Sequence, residues 1–134
     1  MEINGKALLW GIGIFVAIYV LHIVLLPSLI GKEAAESENQ GLLYAVNQAL
    51  GLATCLVSGF VAAKKADHHG FVHGAIVGFV STILTALMAM LWSIVTGAKF
   101  AGLATLPFWL VVNGFLCAFA GLLATNMVED ETAE

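Results

Sequence analysis

The run GAIVGFVSTILTALMAMLWSIVT, residues 74–96, contains no charged side chain over 23 consecutive positions. A helix of that length rises about 34 Å, which is enough to cross a bilayer hydrocarbon core of about 30 Å. Three further apolar runs occupy residues 7–30, 41–63 and 106–128. The sequence therefore predicts an all-α polytopic membrane protein, with four transmembrane helices packed as two hairpins.

The composition of the 134-residue chain agrees with this prediction. Hydrophobic residues make up 60% of it and charged residues 10%, whereas about a quarter of an ordinary soluble chain is charged. Too few residues lie outside the runs to form a soluble domain, so we expect a single membrane domain over residues 1–134 with an acidic tail at 129–134. The chain has no arginine and no basic surface. The expected surroundings are the lipid bilayer and other membrane subunits, and nucleic acid is not an expected partner.

The lysines indicate an orientation. With four spans, both termini and the middle loop lie on one side of the membrane. That side holds Lys6, Lys64 and Lys65, and the other side holds Lys32 and Lys99. The excess predicts a multi-pass protein of the inner (cytoplasmic) membrane with both termini in the cytoplasm.

Small residues recur every four positions in three of the runs. That spacing keeps them on one face of a helix, and small faces let helix backbones approach closely in lipid. We therefore expect the helices to associate through these faces, within one chain or between copies in a homo-oligomer. The packing positions are Gly51, Cys55 and Gly59 in the second span, Gly74 and Gly78 in the third, and Gly121 in the fourth.

The two cysteines, Cys55 and Cys117, lie near the middles of the second and fourth spans. This position excludes a secreted disulfide framework, so each is interpreted as a small packing residue. Their comparable depths allow the two thiols to be neighbours across a helix interface.

A polar cluster is predicted in the outer half of the bundle. His22, Asn47, Gln48 and Asn113 all lie about 9–12 Å below the outer surface, from the helical rise. Amides and imidazoles are costly in lipid unless they are bonded, so we expect them to face inward. Three interpretations stay open: a hydrogen-bond cluster that locks the bundle, a small polar pocket open to the outside, or a contact with a partner subunit.

The loop between the second and third spans carries three imidazoles, His68, His69 and His73. Imidazole suits Zn, Cu or Ni, and it titrates near neutral pH. The neighbouring Lys64 and Lys65 oppose a bound cation. A metal site and a pH-responsive loop are therefore alternatives to a solvated, partly basic turn at the lipid headgroups.

Enzymatic and cofactor chemistry find little support. No span contains Asp, Glu, Lys or Arg, which argues against a four-helix multidrug exporter and its membrane carboxylate. No Ser, His and Asp share one depth. His22 is the one histidine within a span, so bis-histidine haem ligation is not available within one chain. We expect no cofactor and no catalytic activity.

Two short motifs flank the middle loop: Gly59-Phe-Val-Ala62-Ala63-Lys64 ends the second span, and His73-Gly74 begins the third. They resemble a group of small four-span bacterial membrane proteins of uncharacterised function. In that group the second helix ends in Gly-x-x-Ala-Ala-basic and the third begins with His-Gly. The resemblance implies an integral inner-membrane protein of a bacterium or archaeon, and it implies no activity.

The leading hypothesis for function is a non-enzymatic protein that acts by helix association, as a homo-oligomer or as an accessory subunit of a membrane complex. The first alternative is a small transporter or channel for a neutral or weakly polar solute, using the polar cluster. The second alternative is the metal- or pH-responsive cytoplasmic histidine loop.

Overall fold

A computed structural model of the protein describes residues 3–25, 29, 41–97 and 102–132. Helix α1 covers Gly5–Val20 and continues into a π-helical turn at Leu21–Leu25. Helices α2, α3 and α4 cover Leu42–Ala66, Gly70–Thr96 and Gly102–Thr132. Each of the four is long and apolar enough to cross a membrane. The chain is an all-α, four-helix integral membrane protein, as the apolar runs predict.

The helices pack as two antiparallel hairpins, α1–α2 and α3–α4. The most extensive contact is between α3 and α4, and α2 packs against α1, α4 and α3. Since α1 packs on α2 and α3 but makes little contact with α4, α1 and α4 lie at opposite corners of the bundle. A cavity in the middle of the bundle can therefore be lined by residues of α1 and of α4.

The interior of the bundle consists mainly of small side chains. Ala62, Ala63 and Cys117 are fully buried, whereas large apolar side chains such as Trp92 and Phe115 are exposed on the outside. A water-soluble bundle would bury its leucines and aromatics. Small residues inside and large ones outside are typical of helices that pack closely in lipid.

Helix ends differ from the predicted span limits because hydropathy marks the membrane crossing and not the whole helix. Helix α3 begins at Gly70 rather than at residue 74, and α2 continues to Ala66 through the helix-favouring Lys64 and Lys65. Helix α4 begins at Gly102, so Pro107 lies inside it and not in its first turn, and the start of the acidic tail is helical. Lys32 and Lys99 lie outside the described residues.

A three-residue turn joins α2 to α3. Asp67 (φ 60°) and His69 (φ 51°) both adopt the left-handed conformation, which Asp and His tolerate better than most residues. The Asp67 N–H donates to the Ala63 carbonyl at 3.2 Å, and the His69 carbonyl accepts from the N–H groups of Val72 and His73. The turn thereby ends one helix and starts the next without a longer loop.

Candidate functional site

One end of the bundle carries Lys6, Lys64 and Lys65 and is called here the lysine end. The opposite end is the far end. A cavity of about 260 Å³ lies between α1, α2 and α4 in the far half of the bundle, and we call it the far-end crevice. Its lining residues are Phe15 and His22 of α1 and its π turn, Gln48, Gly51, Leu52, Thr54 and Cys55 of α2, and Trp109, Val112, Asn113 and Leu116 of α4.

His22 enters the crevice from the π-helical turn. A π turn inserts an extra residue into a helix and is frequently found at functional sites. The imidazole lies over Gly51 of α2, where an added Cβ would come within 3.1 Å of the His22 Cε1. The missing side chain at Gly51 therefore leaves room for the His22 ring. The neighbour of Gly51 is an imidazole, whereas other packing glycines lie against helix backbone.

Asn113 connects three helices from the wall of the crevice. Its Nδ2 donates to the Thr82 hydroxyl of α3 at 3.0 Å, and its Oδ1 accepts from the Cys55 thiol of α2 at 3.3 Å. The Thr82 hydroxyl in turn donates to the Gly78 carbonyl at 2.7 Å. This chain of hydrogen bonds satisfies the Asn113 amide with two interhelical partners.

Three of the four residues of the predicted polar cluster meet in one place. His22, Gln48 and Asn113 all line the far-end crevice. Gln48 is exposed and His22 and Asn113 are partly buried, whereas Asn47 is buried and lies outside the crevice lining. The predicted polar cluster did not include Thr54 or Thr82, although Thr82 continues the four-residue repeat of Gly74 and Gly78.

A second, smaller cavity of about 170 Å³ lies on the other side of Trp109, between α1, α3 and α4. Tyr19 and Thr82 supply its polar atoms together with Thr105. Larger hollows of about 480 and 470 Å³ lie on the outside of the bundle and are lined mainly by apolar side chains. The polar chemistry of the far half is therefore concentrated around Trp109 and Asn113.

The two thiols are neighbours, as their depths allow. Cys55 and Cys117 are free, buried, and part of one buried cluster with Phe15. The Ser58 hydroxyl lies 3.7 Å from the Cys117 sulfur and also donates to the Thr54 carbonyl at 2.5 Å. Ser58, which directly precedes Gly59 on α2, was not among the predicted packing or site residues.

The remaining packing glycines lie against backbone of other helices of the same chain. A Cβ at Gly59 of α2 or at Gly74 of α3 would collide with the carbonyl group of Cys117. A Cβ at Gly78 would lie 2.5 Å from the Asn113 carbonyl oxygen, and one at Gly121 would collide with Gly70. Helix α4 therefore lies in a groove between α2 and α3 in which no side chain fits.

His73 is not part of a solvated loop, in contrast to the sequence-based expectation. It lies in the first turn of α3 and is fully buried. Its Nε2 accepts from the Asn4 N–H at 3.1 Å, and its Nδ1 lies 3.1 Å from the His69 carbonyl. These partners assign a neutral ring with the proton on Nδ1. The burial of His73 could not be predicted from the local sequence, because its hydrogen-bond partner is the backbone of Asn4, 69 residues away.

The three loop histidines are close without forming a ligand set. The ring centroids of His68 lie 5.1 Å from His69 and 5.8 Å from His73. Both ring nitrogens of His73 are engaged by the backbone. Across the described ranges, no group of three or more His, Cys, Asp and Glu side chains is placed to hold a metal ion. The geometry therefore gives no support to the predicted metal alternative at this loop.

Comparison with known proteins adds no relative: no family model, no curated protein and no solved structure matches the chain. The resemblance to small four-span bacterial membrane proteins stays a prediction.

Proposed function

We propose that this integral membrane protein binds a small neutral or weakly polar solute in the far-end crevice and acts as a transporter or channel for it. One observation carries the proposal: three helices bring His22, Gln48 and Asn113 to the wall of a single cavity. Its volume of about 260 Å³ is several times the ~30 Å³ share of one water molecule. A small solute therefore has both space and hydrogen-bonding partners there.

The polarity of the crevice selects the class of solute. Imidazole, amide, hydroxyl and thiol groups line it beside Phe15, Trp109 and aliphatic side chains, and among the described residues none that lines it is Asp, Glu, Lys or Arg. A hard ion, which imidazole and thiol groups ligate poorly, would lose its hydration without gaining a countercharge, and this costs far more than moving a neutral polar molecule. The site thus fits a molecule that can donate and accept a few hydrogen bonds.

Accessibility of the crevice to water is the first test. In a variant in which Cys55 and Cys117 are replaced by Ser, Gln48→Cys places a thiol on the crevice wall, and Ala49→Cys places one on the exposed outside of α2 at the same depth. A water-soluble methanethiosulfonate reagent needs an ionised thiol, so it should modify position 48 faster than position 49. Equal, slow modification would show a dry crevice and contradict the proposal.

Passage of solute is the second test. Vesicles containing the protein are challenged with glycerol or urea in a stopped-flow light-scattering assay. We expect faster solute entry than in protein-free vesicles, and we expect Gly51→Leu to abolish the difference because its side chain fills the crevice. Ala49→Leu adds the same side chain outside the crevice and should leave the rate unchanged. A wild-type rate no faster than that of lipid alone would count against conduction.

Association with a second copy or another membrane subunit is the second candidate function. The observation that favours it is the exposed face of α1, where Gly13 and Ala17 are four residues apart. Among the residues that the structure describes, no atom lies within 4 Å of a Cβ built at Gly13, so none of the other described helices packs on this small face. Gly13→Ile should reduce the assembly mass in mild detergent, measured by light scattering. An unchanged mass would remove this candidate.

A further inference from the structure

The pair of free thiols between α2 and α4 is a donor set that solute binding does not use. Cys55 is 2% exposed and Cys117 0%, and their side chains meet in one buried cluster. Two more polar groups complete the layer: the Asn113 Oδ1 at 3.3 Å from the Cys55 sulfur and the Ser58 hydroxyl at 3.7 Å from the Cys117 sulfur. The layer thus combines two thiols, an amide and a hydroxyl between α2 and α4.

The backbone around Cys117 is held in place from two sides. Gly59 of α2 and Gly74 of α3 both lie directly against its carbonyl group. A donor atom on a backbone fixed in this way keeps its position when a ligand binds. Rigid placement of the ligands is what a selective metal site requires.

The far-end crevice extends to one of the two thiols. Cys55 lines the crevice, whereas Cys117 lies beyond it. Gly51, over which the His22 ring lies, is one helical turn from Cys55 on the same face of α2, a rise of about 6 Å. A soft cation entering the crevice would thus meet the His22 imidazole first and the two sulfurs next.

The donor chemistry selects the cation. Thiolates prefer soft ions such as Cu⁺, whereas Mg²⁺ and Ca²⁺ need oxygen ligands. Structural Zn²⁺ takes four ligands, and no set of three or more candidate side chains exists in the part of the chain that the structure describes. We propose that Cys55 and Cys117 together bind one soft monovalent cation, Cu⁺ or Ag⁺, which reaches them through the far-end crevice. The proposal goes beyond solute binding and does not depend on it.

Charge balance fits the apolar surroundings. One thiol loses its proton to water in the crevice, and the cation bonds to that thiolate and to the second, still protonated sulfur. The complex is neutral overall, so its burial avoids the cost of an isolated charge. Asn113 can follow the change if its amide rotates: Nδ2 then turns toward the thiolate, and the Thr82 hydroxyl donates to Oδ1 in place of the Gly78 carbonyl.

The test uses the full-length reduced protein in detergent, with Ag⁺ as the probe. Native mass spectrometry should show one Ag⁺ per chain, and silver-edge X-ray absorption should show two sulfur neighbours. Cys55→Ser or Cys117→Ser should each abolish retention of the ion on desalting, and Asn113→Leu should weaken binding by about tenfold. His68→Ala at the lysine end is the matched control and should bind as wild type does.

Several outcomes would overturn the proposal. The first is that each single-cysteine variant still retains one Ag⁺. The second is that His68→Ala loses the ion, and the third is that the absorption spectrum of the wild type shows only one sulfur neighbour. The wild-type spectrum needs no variant, so a variant that fails to fold leaves the test intact. Unchanged glycerol and urea entry in Cys117→Ser, whose residue lies outside the crevice lining, would separate failure here from failure of solute conduction.

Discussion

Asn113 illustrates how a single amide can organise a membrane bundle. In lipid there is no water to satisfy a polar side chain, so an amide must find partners on neighbouring helices. Asn113 reaches α3 through Thr82 and α2 through Cys55. Interhelical hydrogen bonds of this kind contribute about 0.6 kcal/mol each on average, which makes this network a modest stabiliser with a large effect on how the helices are arranged.

Asn113→Leu should lower the free energy of unfolding by about 1 kcal/mol, the sum of two such bonds. The Thr82 hydroxyl keeps its bond to the Gly78 carbonyl, which limits the loss. Unfolding in mixed detergent micelles, followed by circular dichroism, measures the change. Asn126→Leu, at an exposed position of the same helix, is the control and should have little effect.

His73 attaches the start of α1 to the start of α3. Asn4 caps α1 by accepting from the Ala7 N–H at 3.2 Å, and its own N–H donates to the His73 Nε2. His73→Phe keeps the ring and removes the acceptor, so amide hydrogen exchange in the first turn of α1 should accelerate. His69→Asn keeps the carbonyl and tolerates the left-handed backbone, so it should not accelerate exchange. Equal exchange in both variants would show that the Asn4–His73 bond does not hold this turn.

Within α1, two glycines two positions apart have opposite surroundings. A Cβ at Gly11 would lie 2.7 Å from the Val77 Cγ2, 2.8 Å from the Ala62 Cβ and 3.0 Å from the Ser58 carbonyl oxygen, whereas one at Gly13 meets nothing within 4 Å. Replacing each glycine by alanine adds one methyl group, so the pair of variants tests which face of α1 packs against other helices.

Gly11→Ala should destabilise the bundle, because overpacking typically costs about 1–3 kcal/mol. Gly13→Ala should leave stability unchanged or raise it by up to about 1 kcal/mol, the helix preference of Ala over Gly. Thermal unfolding in one detergent compares the two variants. Equal destabilisation by both would mean that α1 does not pack on α2 and α3 through Gly11.

At the scale of elements, the sequence predicts the four helices well and their ends poorly. An uncharged run of 23 residues leaves few alternatives to a spanning helix, so the identity of each helix follows from length and hydropathy. The ends depend on local backbone chemistry: left-handed Asp67 and His69 compress the middle loop to three residues and bring Gly70 and His73 into α3. Hydropathy carries no signal for this.

The candidate site is predictable only in part, for a related reason. Helical depth predicts one level for His22, Gln48 and Asn113, and all three line the far-end crevice. The π turn that carries His22 and the contact between His73 and Asn4 are tertiary features. Asn4 itself has a sequence signal, because Asn directly before an apolar run is a favoured helix N-cap.

The arrangement of the whole molecule depends on how α4 lies against both α2 and α3. Gly59 and Gly74, from different helices, approach the same carbonyl group of Cys117. We expect a side chain at either position to displace the same stretch of α4, because both collisions are with the Cys117 carbonyl group. The Cys117 carbonyl group is therefore a contact shared by α2, α3 and α4, close to the paired thiols.

This shared contact predicts a coupling between two distant sequence positions. Gly59→Ala and Gly74→Ala should each destabilise the protein, and the double variant should lose less than the sum of the two, because one displacement of α4 relieves both collisions. Contacting sites typically couple by about 0.5–3 kcal/mol. Gly11→Ala combined with Gly114→Ala is the matched pair: Gly114 faces the Phe79 ring and shares no close neighbour with Gly11, so these effects should add. Additive losses for Gly59 and Gly74 would mean that α2 and α3 contact α4 independently, and that the bundle is held by separate helix pairs.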